Sequence, residues 1–260
     1  MGLFDFLKQK ETLPIATPAA TPAAKKPYLG DLDKTAELFA LVAIPLAERD
    51  PDWSTAFLAN VSAASFRCGD PQVIQGPDGF PYVQLLLPES GVGFQCFVIE
   101  RMKDDFLLEQ GFGVVINPTN GAPDWVFSYG DVLNFHLNQE FYTTEETPFS
   151  KELSDEVIEG NEEVMVAQPA EELLPQFTRN VLSEFLKNNG VPSPKVLLMM
   201  RRHRTGTGIS QDLAFNITPE NFETEATYRS VMQQLAWFLP RHYSFLGLAE
   251  ETLENSFLPL

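Results

Sequence analysis

GFGVVINPTNGAPDWVFSYGDVLNF, residues 111–135, is the stretch on which the reading of the fold turns. Val114, Val115 and Ile116 form a short, β-branched apolar run of the kind that makes a buried strand. Asn117, Pro118, Thr119, Asn120 and Gly121 interrupt it with residues suited to a turn and to positive φ. Trp125, Val126 and Phe127 follow as an aromatic strand, and residues 131–135 as a short helix or turn. All of these are expected to pack inward. The stretch carries no recognisable catalytic constellation, so it speaks for a mixed sheet and is silent about a reaction.

Upstream, Asp31 or Asp33 can cap a helix with Leu38, Leu41 and Val42 on one face, kinked or ended at Pro45. Asp50-Pro51-Asp52 opens a second helix in which Trp53, Phe57 and Val61 recur every fourth residue. Gly76-Pro77-Asp78-Gly79 is a turn signal between Val73-Ile74 and a strand predicted over 80–87. Residues 94–110 read as a strand merging into a helix that Gly111 stops.

Downstream, Leu174, Phe177, Val181 and Phe185 stand at helical spacing, with Gly190 beyond them. Val196, Leu197, Leu198, Met199 and Met200 read as a buried strand. A loop containing Gly206 and Gly208 joins it to a partner strand over 213–217. Thr218-Pro219 predicts the start of a helix with the stripe Tyr228, Val231, Met232, Leu235 and Phe238. Pro240 ends it, residues 243–248 predict a last strand, and residue 250 onward reads as a tail.

These elements give an α+β chain of two small mixed α/β-sheet domains, 31–140 and 171–260. An acidic linker, 141–170, joins them. A short amphipathic segment, 1–10, and a Thr/Pro/Ala-rich tether, 11–30, precede them. Leu3, Phe4, Phe6 and Leu7 make residues 1–10 a candidate docking tag, since so short an amphipathic stretch cannot hold a helix alone. Its expected target is a protein partner or a second copy of the chain, ahead of a membrane surface.

The chain of 260 residues has 36 acidic and 18 basic residues, a formal charge of −18. That balance disfavours nucleic acid, because phosphate binding needs local cation density. Between Glu140 and Glu172, eleven acids against Lys151 alone give −10, which reads as a solvated linker with an edge strand at 164–166. The spacing of these acids is not that of a calcium loop. Cys68 and Cys96 lack CxxC spacing and read as reduced, mostly buried thiols. No apolar run is long enough to span a bilayer and no secretory leader is evident, so the cytoplasm is the expected location.

Motifs that could carry chemistry are weak. Gly111-x-Gly113 precedes its strand instead of following one, and lacks the third glycine of a dinucleotide loop. Thr205-Gly206-Thr207-Gly208 lacks the Lys-Ser/Thr of a phosphate loop. His136, His203 and His242 are scattered without metal-ligand spacing, and no cofactor is implied. Arg201, Arg202, His203 and Arg204 form the dense basic cluster of an acidic chain. It is a candidate anion-binding site through the forked guanidinium donors, or else a strand end paired with the protein's own acids.

GFGVVINP with its polar turn, then VLSEFLKNN, KVLLMM, DLAFNI, a long helix and a final strand, resembles the bacterial SseB-type (enhanced serine sensitivity) proteins. The resemblance implies a cytosolic two-domain protein without established catalytic residues, and it transfers no site residue. The expectation is therefore a non-enzymatic interaction or regulatory protein. The alternatives are an acidic, secretion-chaperone-like module with a large exposed apolar groove for a client segment, and a sensor using the arginine cluster.

Overall fold

The computed structural model describes residues 29–118, 122–149, 164–202, 209–253 and 256–260. It is α+β with two mixed sheets. Two helices lead in. α1 (Leu32–Val42) is capped by the Asp31 carboxylate, which accepts from Asp33 N–H at 2.9 Å and Lys34 N–H at 3.1 Å. α2 (Pro51–Val61) starts on Asp50, which accepts from Trp53 N–H at 2.8 Å, with proline at the first turn where a missing N–H costs nothing. Trp53, Phe57 and Val61 face the core as their spacing predicts.

The first sheet runs β1-β2-β3-β4: β1 (Arg67–Gln75), β2 (Pro81–Leu86), β3 (Gly113–Ile116) and β4 (Trp125–Phe127). β1 and β2 are an antiparallel hairpin closed at Gly76–Phe80, and β2 lies parallel to β3. A parallel neighbour needs a crossover, and helical residues supply it: α3 (Ile99–Met102), a π turn (Lys103–Leu107) and α4 (Leu108–Gln110). Gly111 ends this helical run at φ +73°, the left-handed stop expected of it. No strand forms at 94–98. Phe97 makes only an isolated bridge to Phe66, and Phe94 is exposed. The reason is that residues 91–95 lie open to solvent and pair with no strand.

β3 is buried along its whole length, whereas the edge strand β4 leaves Val126 exposed. The inward-packing expectation thus fails there, because alternate residues of an edge strand face opposite ways. α5 (Tyr129–Asn138) follows through a capping box: Ser128 Oγ accepts from Asp131 N–H at 3.1 Å, and Asp131 Oδ2 accepts from Ser128 N–H at 3.0 Å.

The second sheet contains β5 (Val164–Ala167), β6 (Lys195–Arg202), β7 (Ile209–Phe215), β8 (Phe245–Gly247) and β9 (Leu258–Pro259). Its order is β5-β6-β7-β8, with β7 and β8 parallel. β9 pairs with Lys195 and Val196, in line with β5 along the same edge of β6. α6 (Gln176–Asn188) and α7 (Glu225–Leu235) complete the unit.

Thr218-Pro219 opens only a 3₁₀ turn, Pro219–Asn221; Phe222 is extended and α7 begins on its own cap, Thr224, which accepts from Thr227 N–H at 3.1 Å. The residues after 250 are not a loose tail. β6 alternates between two interiors, Val196 toward one and Leu197 and Met199 toward the other. Phe257 is buried over the second, with Leu253 packed beside it. A strand apolar on both faces must be covered on both.

Buried residues from Leu38 to Tyr243 form one contiguous cluster shared by the two sheets. The Tyr129 hydroxyl contacts Thr178 Oγ1 at 3.0 Å, and the Phe80 and Trp237 rings stack 4.2 Å apart. Cys68 and Cys96 are free thiols, half-buried instead of mostly buried. No described helix is long and apolar enough to cross a membrane.

Candidate functional site

The largest of the clefts described, about 880 Å³, lies beside the β8 edge of the second sheet. Its floor is Phe245, Leu246 and Gly247 of β8, and one wall is Tyr228 and Met232 of α7 with Ala236 at the helix C-cap. Those three wall residues are four apart and therefore share a helix face. Val231 and Leu235 of the same helix are buried in the core. The apolar stripe of α7 continues from these two to Tyr228 and Met232, which pack against the same core and also line the cleft.

Among the described residues no strand pairs with β8 on the cleft side. Leu213 N–H donates to Ser244 C=O at 3.0 Å, and Leu248 N–H donates to Phe215 C=O at 2.9 Å. In a parallel ladder this alternation directs the Ser244, Leu246 and Leu248 peptides toward β7. Phe245 and Gly247 then turn their N–H and C=O outward, two residues apart, as a strand edge does. Gly247 must be glycine: a Cβ there would overlap the Ile217 carbonyl oxygen and crowd the Tyr228 hydroxyl. An extended chain is the shape that satisfies both outward peptides, with alternate side chains reaching Met232 and Tyr228.

Both arginines at the rim are internally matched. Arg241 donates to the fully buried Asp131 through Nε at 2.8 Å and Nη2 at 2.9 Å, and its guanidinium lies 4.3 Å from the Tyr142 ring centre. Partial burial alone would lower the Arg241 pKa, but the bonded Asp131 carboxylate more than offsets this and raises it. Burial pushes the Tyr142 phenol up to about 12. Arg229 pairs with Glu225 one turn away. Burial holds the His242 imidazole below its usual pKa, against a weaker opposite pull from Glu140. The lining therefore offers shape and backbone hydrogen bonding more than net charge.

Of the candidate anion site, Arg201 sits on β6 and bridges to the buried carboxylate of Asp212 on β7 at 2.9 Å. One member of the cluster thus already has an internal counter-ion. Arg202 closes β6 by its backbone; its side chain, His203 and Arg204 lie outside the described residues, as do Leu3, Phe4, Phe6 and Leu7. Asp104 stands between Lys103 and His136 at 2.6 and 2.7 Å. Partial burial would raise this carboxyl, and the two hydrogen bonds outweigh it and lower the pKa. Among the described residues no three metal-ligating side chains come together.

The cleft escaped the sequence reading for a definable reason. The strand over 243–248 was legible, but its being an edge follows from strand order, which no local pattern encodes. The signal that was present is the width of the α7 stripe, with the half-buried Tyr228 and Met232 beside the buried Val231 and Leu235. No protein-family model matches the chain, and no curated protein or solved structure matches it.

Proposed function

We propose that this is a non-enzymatic interaction or regulatory protein of the bacterial cytosol that receives an extended apolar segment of a protein partner along β8 and α7. The observation that carries this reading is the outward-facing backbone of Phe245 and Gly247 beside the apolar wall of Tyr228 and Met232. Main-chain pairing supplies affinity in such a groove, and alternate side-chain positions supply selectivity. The reading agrees with what the resemblance to SseB-type proteins implies.

The same cleft also favours the chaperone-like variant of this reading, in which the bound segment is a client's apolar stretch held away from water. The two differ in the lifetime of the complex, not in its chemistry.

The test is to pan random twelve-residue peptides displayed on phage against the full chain, then measure the selected peptides by fluorescence anisotropy. Peptides with alternating apolar residues should be enriched, and Met232→Glu should weaken them at least tenfold while leaving circular dichroism unchanged. If nothing is enriched, or the variant binds equally well, the reading fails.

A further inference from the structure

The charges around the β8 cleft do not cancel. Arg229 and Arg241 are each matched by an acid of their own, Glu225 and the buried Asp131. Glu145 lines the cleft as well; it is exposed and has no ion-pair or hydrogen-bond partner among the described residues. Burial holds His242 below its ordinary pKa, so the imidazole adds little positive charge at neutral pH to offset it. The charge left over in the lining is therefore negative.

Acids stand near both ends of the strand. α7 connects β7 to its parallel neighbour β8 and so runs back against both, which sets its first turns beside Gly247 and its last beside Ser244. At the Gly247 end, a Cβ on that glycine would crowd the Tyr228 hydroxyl, and Glu220 adds to the effect of burial in raising the Tyr228 phenol. At the Ser244 end, Glu140 pulls on the His242 imidazole against the effect of burial. Glu145 belongs to the same end. It lies between Tyr142, which Arg241 contacts, and Pro148, whose carbonyl oxygen accepts from Gln211 N–H just ahead of β8. An extended chain paired with Phe245 and Gly247 thus has apolar surface along its middle and a carboxylate near each end.

We propose that the occupant of the cleft is an extended apolar segment of a basic protein, flanked on each side by lysine or arginine; this rests on the β8 edge receiving a peptide at all. The apolar residues of the segment bury against Tyr228 and Met232, and its flanking cations meet Glu145 and Glu220. Each such exposed pair is weak alone. The chain as a whole carries −18, however, and a field of one sign gathers and orients a basic partner before contact. A second copy of this chain bears the same excess of acid and is repelled.

The test measures three peptides on the full chain by fluorescence anisotropy. All share one core of alternating valine and threonine, with paired lysines, serines or glutamates at each end. At low salt the lysine peptide should bind about tenfold more tightly than the glutamate peptide, with the serine peptide between them, and the ratio should shrink at high salt. Glu145→Lys, at an exposed and unbonded position, should cut that ratio at least threefold with circular dichroism unchanged. Glu37→Lys, an equal change of charge on the exposed side of α1, should leave it nearly as it was. Equal binding of the three peptides, or a preference for glutamate, would overturn the proposal and leave the strand-edge reading standing. A ratio lowered equally by both variants would assign the preference to net charge alone and overturn it too. If none of the three binds, both fail.

Discussion

The indole N–H of Trp237 donates to the phenolic oxygen of Tyr82 at 2.7 Å, joining positions 155 residues apart. Tyr82 in turn donates to Asp78 at 2.5 Å, and Phe80 lies flat on the indole. The tip of the β1–β2 hairpin is thereby fixed to the 3₁₀ turn that follows α7, so the two sheets are coupled through aromatic packing as well as through their common core.

That coupling predicts shared unfolding. Trp237→Ala removes a large half-buried ring and should cost about 2–3 kcal/mol, somewhat below the usual loss for a fully buried aromatic. Urea unfolding followed by tryptophan fluorescence and by circular dichroism should give one coincident transition at a lower midpoint. Two separated transitions, with only one of them moved, would show that 31–140 and 171–260 unfold independently.

Gly130 gives a prediction of sign. It lies within α5, where replacing glycine by alanine ordinarily stabilises a helix by about 1 kcal/mol. Here a Cβ would overlap the Leu239 backbone, carbonyl oxygen included, and backbone cannot swing aside as a side-chain end can. Gly130→Ala should therefore destabilise the protein, by roughly 1–3 kcal/mol as overpacking does. A raised melting temperature would contradict the close packing of α5 on that segment.

The two arginines of the cleft should differ in weight. Arg229→Ala breaks an exposed pair one helical turn apart, worth about 0.3–0.5 kcal/mol. Arg241→Ala leaves the fully buried Asp131 carboxylate without its cation, which should cost about 2 kcal/mol or more even though Arg241 itself is largely exposed. Chemical denaturation of the two single variants compares them directly; equal losses would mean that Asp131 is held by its capping hydrogen bond alone.

His242 sets a pH window. Its imidazole, half-buried edge-on against the stacked rings of Phe149 and Tyr243, has its pKa lowered from 6.5 by burial. The unfolded chain therefore binds the proton more readily than the folded one. The associated stability is complete above about pH 6.5 and is lost as pH falls through that value toward the lower folded pKa. Melting temperature should fall between pH 7.5 and 5.5 in the parent chain, and fall distinctly less in His242→Leu. Asp104 and Glu250, both with lowered pKa, act in the same direction but only nearer pH 4.

Local chemistry was enough to place most elements. Asp31 and Asp50 carry oxygens able to accept orphan helix N–H groups, and Gly111 tolerates a φ that side chains resist, so both helix starts and one helix stop were readable. Val196 to Met200 was readable as a strand because it is apolar throughout. Thr218-Pro219 misled because a cap and a proline specify a first turn without specifying its continuation. Phe222 breaks away, and the apolar stripe of α7 takes its start from Thr224 instead.

By itself the sequence determined an α+β chain, the positions of its caps and turns, and the surplus of acid, because these depend on residues near one another in the chain. Only the tertiary structure decided that β8 is an edge, that residues after 250 cover the far face of β6, that Arg201 is matched by Asp212, and that α1 turns an apolar stripe outward. Each of those depends on which distant segment arrives to bury a surface. A side chain's apolarity states that it wants covering, but the partner is chosen by strand order and packing across the whole chain.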